Sequence, residues 1–170
     1  MAVTLDQLNS AGAAAFTAAL GHLFEHSPWV AAEAWADRPF RDAAELHAAL
    51  CARMRAAPRE RQLALIRAHP DLAGRLARSR QLTADSTREQ ASAGLDRLAD
   101  AELAEFVRLN AAYTARFGFP FVICARLNAK DAILEAMRRR LTHPPEVEFA
   151  TALDEIGRIA RLRLDDTVPA

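Results

Sequence analysis

Lysine is almost missing: of the 22 basic residues in this 170-residue chain, Lys130 alone is not an arginine. Chemistry that runs through a lysine Schiff base has one candidate here, and any single arginine is one among many. Cysteine is as scarce. Cys51 and Cys124 stand far apart, without the paired spacing that builds zinc sites or disulfide frameworks, and two isolated thiols suit a reducing cytoplasm. Net charge is absent as well, because basic and acidic residues balance at 22 each. Nothing in the summed charge draws the chain at long range toward nucleic acid or an anionic membrane. No run of about eighteen uncharged apolar residues occurs, and no basic segment leads into an apolar stretch at the N-terminus. The chain ends VPA, not the peroxisomal SKL. These absences predict a soluble, cytoplasmic protein with no membrane or nucleic-acid partner.

What is present is helix. Apolar residues make up 51% of the chain, enough for one compact domain over residues 1–170. They recur at three- and four-residue spacing among Ala, Leu, Arg and Glu, which predicts an all-α, single-domain bundle of about eight helices. An alanine-rich segment over 5–24 is interrupted at Ser10-Ala11-Gly12. Ser27-Pro28 opens a short helix through Trp35. Asp42 caps a helix toward Ala57, and Pro58 begins another that stops near His69-Pro70. Ser86 reads as an N-cap with Glu89 completing a capping box. Asp100 starts a longer helix closed by Gly118, Asn128 caps the next through Leu141, and the last runs from about Glu146 to Leu164. Between them lies FGFPFVICAR, residues 117–126, too aromatic, branched and proline-interrupted for helix. It is predicted to be a buried extended loop.

The stretch HLFEH, from His22 through Glu25 to His26, fits the H-x-x-E-H pattern of one class of zinc peptidases. On a continuing helix the two imidazoles would share an ion. Ser27-Pro28 ends the helix directly after His26, and with five histidines in a helical chain a chance pair four residues apart is unsurprising. The plainer reading leaves His22 and His26 flanking Glu25 at the surface or a helix end, with no metal.

A second constellation carries more chemistry. His69, followed by Pro70 and Asp71, falls at a break between helices, where a side chain can project into a cleft. Ser86, Glu89 and Gln90 follow at i, i+3 and i+4 and share one side of a helix. Each has an ordinary explanation: a capping box for Ser86 and Glu89, a solvated amide for Gln90, a helix-terminal histidine for His69.

Together HPDLAG, the T-x-x-S-x-x-E-Q-x-x-A-G-L spacing from Thr83 to Leu95, RFGFPFVICARLNAKDAIL and the closing IARLRL resemble the 2-oxo-4-hydroxy-4-carboxy-5-ureidoimidazoline decarboxylases of purine catabolism. FEHSPWVAAEAW is also similar to a stretch of that family. The resemblance spans nearly the whole chain and implies an all-helical, cofactor-free homodimer acting on a small ureidoimidazoline to give (S)-allantoin and carbon dioxide. It implies His69 and Glu89 as catalytic residues. As substrate contacts it implies Pro70, Ser86, Gln90, the loop residues Phe121, Val122, Ile123, Cys124 and Ala125, and an arginine of the last helix. By spacing that arginine is Arg163; Arg161, two residues away, lies on a different face. For the phenylalanines of the loop, plain core packing is the competing reading. Two other readings of the chain make it a non-catalytic helical interaction module or a metal hydrolase built on His22, Glu25 and His26.

Overall fold

Short polar side chains and a few glycines set where the helices begin and end. Thr4 caps α1 (Leu5–Ser10): its hydroxyl accepts from the Gln7 N–H, while the Gln7 side chain accepts from the Thr4 N–H. Gly12 separates α1 from α2 (Ala13–Leu20). α3 (Trp29–Ala34) starts after Pro28 and tightens into a 3-10 turn at Trp35–Asp37. Asp42 caps α4 (Ala43–Ala56), its carboxylate 2.7 Å from the Glu45 N–H. Such a cap contributes about 1 kcal/mol. α5 (Arg59–Ala68) stops where Pro70 disfavours helix at the preceding residue. There follow α6 (Ala84–Ser92), α7 (Asp100–Phe117), α8 (Lys130–Arg140) and α9 (Pro145–Thr167). Gly118, at φ 77°, takes the left-handed conformation that closes α7.

The computed structural model describes residues 3–74 and 80–169. Among the described residues there are nine α-helices and no strand, so the fold class is all-α. Two starts differ from the sequence reading. Thr83 caps α6, its hydroxyl accepting from the Ser86 N–H at 3.2 Å, which puts Ser86 inside the first turn and not at the cap. Ala129, not Asn128, precedes α8; the Asn128 amide donates to the Cys124 carbonyl instead. In both cases a neighbouring position supplies the non-helical backbone, which frees the polar side chain for other contacts. No described helix is long and apolar enough to cross a membrane.

The chain forms two compact units, Met1–Ala68 with Gly157–Ala170, and His69–Ile156. In the first, α2 packs on α3 and α3 on α4 around fully buried Phe16, Leu20, Val30, Leu46 and Leu50. The Asn9 amide bonds both the carbonyl and the N–H of Phe40, tying α1 to the approach to α4. The C-terminal half of α9 belongs here: His47 Nε2 donates to the Gly157 carbonyl at 2.8 Å, and the Val3 N–H to the Thr167 carbonyl at 2.9 Å.

In the second unit α7 packs against α8, and Tyr113 sits at the centre of an aromatic cluster. Its ring lies 4.6 Å from Phe117, 6.0 Å from Phe119 and 5.2 Å from Phe121, the last two edge-on. Pairs of this geometry contribute roughly 0.5–1.5 kcal/mol each beyond the area they bury. The cluster explains why Phe119 and residues 121–124 are buried without regular secondary structure: aromatic packing, not a hydrogen-bond ladder, holds this part of the loop predicted over 117–126. Elsewhere in that stretch Phe117 ends α7, Gly118 and Pro120 are not buried, and Ala125–Leu127 is a 3-10 turn.

Candidate functional site

His69 is the first residue beyond α5 and is 8% exposed; Pro70, beside it, is half-buried. The chain then turns sharply. The Gly74 N–H donates to the Asp71 carbonyl at 3.3 Å, and Ala73 is held at φ 51°, a left-handed conformation that costs a non-glycine residue roughly 1–2 kcal/mol. Gly74 is required by close approach, because a Cβ there would lie 2.6 Å from the Asp71 Cβ. Gly74→Ala is therefore expected to destabilise the protein by about 1–3 kcal/mol through a forced backbone shift. A melting transition unchanged from wild type would show that the turn yields freely.

What holds the strained turn is Gln90. Its Oε1 accepts from the Ala73 N–H at 2.9 Å and its Nε2 donates to the Asp71 carbonyl at 3.3 Å, so both ends of a buried amide pin the segment that follows His69. Asn110 of α7 adds a bond from Nδ2 to the Leu72 carbonyl at 2.9 Å. Gln90 is thus no solvated amide. On the same helix Ser86 is buried and Glu89 half-buried, so all three residues lie on the side of α6 that turns inward.

α6 also packs against the 3-10 turn Ala125–Leu127, which ends the apolar loop. Phe121, Val122, Ile123, Cys124 and Ala125 are all buried. The Cys124 N–H donates to Glu155 Oε2 at 2.9 Å, and its carbonyl accepts from the Leu127 N–H. Among the described residues, neither the N–H nor the carbonyl of Ile123 makes a hydrogen bond. Buried peptide groups left unpaired in this way favour a partner from outside the chain. Burial raises the Cys124 thiol above its ordinary pKa, and the carboxylates of Glu155 and Glu89 raise it further, which brings Glu89 within electrostatic reach of the loop. The reactive thiolate then forms only at higher pH. Iodoacetamide at pH 8 is expected to leave Cys124 unlabelled in the native protein and to label it fully in urea; native labelling at the free-thiol rate would mean an open loop.

The last helix separates its two candidate arginines clearly. Arg163 is 3% exposed, with NH2 3.0 Å from Glu25 Oε2 and NH1 3.1 Å from the His22 carbonyl. Arg161 is only partly buried and pairs with Asp165 one turn along. Arg163 belongs to the first unit and His69, α6 and the loop to the second. In HLFEH, His22 and His26 are exposed, as the plainer reading has them, and Glu25 alone departs from it. Gly21–Leu23 is a 3-10 turn, Phe24 is extended and His26 has φ 47°, so the helix that would stack the two histidines on one face is not formed. Glu25 is 3% exposed, not at the surface, because it is the counter-ion of Arg163.

The profile of the OHCU decarboxylase family matches residues 9–165. The chain belongs to the OHCU decarboxylase family. It is 47% identical to the 2-oxo-4-hydroxy-4-carboxy-5-ureidoimidazoline decarboxylase of Haloferax volcanii, over 95% of this chain and 94% of that protein. It is 42% identical to the decarboxylase of the same name from Halalkalicoccus jeotgali, over 98% and 93%. Among solved structures, the crystal structure of an (S)-allantoin synthase superposes with a TM-score of 0.76 at 33% identity, covering 98% of this chain and 54% of that one.

In this OHCU decarboxylase family member, several residues behind the loop escaped the sequence reading. Arg140 and Glu148 form a buried pair that also engages Tyr113, and Glu155 holds the Cys124 amide. A weak signal for them exists. Arg140 continues the apolar stripe of Ile133 and Met137, and Glu148 and Glu155 interrupt the stripe of Phe149, Ala152 and Ile156, so charges stand where the helical period demands apolar side chains.

Proposed function

We propose that this protein decarboxylates 2-oxo-4-hydroxy-4-carboxy-5-ureidoimidazoline, giving (S)-allantoin and carbon dioxide. The observation that carries the reading is the family match, which runs unbroken from residue 9 to residue 165 and so includes His69, α6, the apolar loop and Arg163. The same continuity supports treating the whole chain as one functional domain.

The substrate supplies its own electron sink. Its carboxylate sits on a carbinol carbon next to a C=N bond, so the pair released with carbon dioxide flows onto the imine nitrogen, which takes up a proton. The reaction needs no cofactor for that step. The resulting enol then loses its hydroxyl proton and gains one at the ureido-bearing carbon, from one face only, to become allantoin. Imidazole suits both transfers because its ordinary pKa lies near neutrality. His69 is the acid–base group. Glu89 orients it and accepts from substrate donors, Ser86 and Gln90 add polar contacts, and the unpaired Ile123 peptide groups meet substrate oxygens and N–H groups.

The apolar walls of Phe121, Val122, Cys124 and Ala125, with Pro70, strip water from the carboxylate, whose charge disperses as carbon dioxide forms. The family resemblance implies Arg163, oriented by Glu25 and the His22 carbonyl, as a clamp whose guanidinium fork suits a ureido or ring carbonyl. A tight grip on the departing carboxylate would stabilise the ground state instead and slow the reaction. The two isolated thiols support a cytoplasmic setting, and the homodimer that the family resemblance implies is tested by light scattering.

The decisive assay generates the intermediate from urate with urate oxidase and the following hydrolase, then records optically active allantoin by circular dichroism with and without this protein. Faster formation of the (S)-enantiomer is the expected result; an unchanged racemic decay would dismiss the proposal.

A further inference from the structure

Residues 121–124 are buried without a ladder, so their peptide groups must be directed by side chains from elsewhere. Arg140 of α8 is the largest such anchor. Its NH1 donates to the Val122 carbonyl at 2.8 Å, and its guanidinium carbon lies 4.2 Å from the centre of the Phe121 ring. Its Nε lies 2.9 and 3.2 Å from the two oxygens of Glu148, a fully buried carboxylate. Glu148 is saturated in turn by the Tyr113 hydroxyl, which donates to Oε2, and by His143 Nδ1, 2.9 Å from Oε1. Burial and the Glu148 carboxylate push the Tyr113 phenol well above its ordinary pKa, so it remains a donor.

This arrangement is poorly suited to stability alone. Desolvating a guanidinium and a carboxylate costs about as much as their attraction returns, and apolar packing of equal volume often does as well. The Arg140 NH2 is buried with no hydrogen-bond partner, a further cost. What the pair supplies is direction: a planar fork locked on one side by Glu148 can hold a carbonyl at a fixed angle on the other. The Val122 carbonyl and the Cys124 N–H, the latter held by Glu155, bracket Ile123, whose own peptide groups make no hydrogen bond among the described residues.

We infer that Arg140 is a positioning residue: locked by Glu148, it sets the register of residues 121–124 so that the Ile123 peptide groups face the substrate at the distance the reaction needs. The inference rests on the reading of this loop as the substrate-lining segment.

The test is Arg140→Lys, whose single ammonium can stay with Glu148 but cannot also reproduce the fork to the Val122 carbonyl. Should Arg140→Lys fold poorly, Arg140→Met combined with Glu148→Gln, which leaves no unpaired buried charge, is read in the same way. Two quantities are measured: kcat and KM per mole of folded protein in the coupled circular dichroism assay, and amide hydrogen exchange of residues 121–125 against α7 as internal control. The expected result is a kcat lower by roughly 10- to 100-fold with KM changed far less, since small misplacements act on the reacting geometry. Loop amides should exchange at least about tenfold faster, as expected when local opening needs less free energy, with α7 unaffected. Wild-type kcat and KM in a folded variant would overturn the inference, and so would loop exchange equal to wild type. If the wild-type protein itself gave no acceleration, the decarboxylase reading would fail, and the exchange data would still decide whether Arg140 holds the loop.

Discussion

His69→Asn is expected to lower the enzymatic formation of (S)-allantoin by about 10²- to 10⁴-fold, the range over which a single acid–base group acts. Asparagine keeps a polar, similarly shaped side chain at a position 8% exposed, so the turn that follows should survive. Gln90 secures that turn through the Ala73 N–H and the Asp71 carbonyl, and the substitution leaves both bonds in place. Helical circular dichroism should therefore match wild type while turnover is lost. A folded variant that still turned over near the normal rate would remove His69 from its role and leave Glu89 as the group to test.

The second large effect is on folding. Arg163→Ala should cost about 3–5 kcal/mol, because it leaves the Glu25 carboxylate buried with its counter-ion gone. Arg163 and Glu25 are 3% and 2% exposed at their side chains. In a chain of this size that loss corresponds to a melting transition lower by roughly 6–20 °C. Arg161→Ala makes the comparison, since Arg161 and Asp165 are 39% and 44% exposed and an ion pair in water contributes about 0.2–1 kcal/mol. Equal melting temperatures for the two variants would mean that the Arg163 to Glu25 contact carries no stability. A double variant, Glu25→Gln with Arg163→Met, should recover much of the loss, because the charge left behind is what makes the single change so damaging.

Helix positions were largely legible. Apolar residues at three- and four-residue spacing located the helices, Asp42 and Gly118 marked a start and a stop where they stand, and the proline-broken aromatic run of residues 117–126 announced a loop. The errors lay where two polar residues compete for one role. Thr83 and Ser86 are both good caps three residues apart, and the backbone chose the first, which left Ser86 buried inside α6. HLFEH shows a second limit: its histidines are exposed, as the plainer reading has them, but Glu25 is buried. A one-dimensional pattern reports spacing and not counter-ions, and the partner of Glu25 lies 138 residues further on.

The linear order of residues by itself determined the all-helical class, the helix break at which His69 stands, and the family, since these depend on local periodicity and on side chains close together in the chain. Tertiary structure alone decided that Gln90 braces the turn beyond His69, that Arg163 and not Arg161 is the buried cation, and that Arg140, Glu148 and Glu155 direct the apolar loop. Each of those depends on which polar and charged groups are taken out of water together. Burying an unpaired charge costs several kcal/mol, and no local propensity can reveal where its partner will come from.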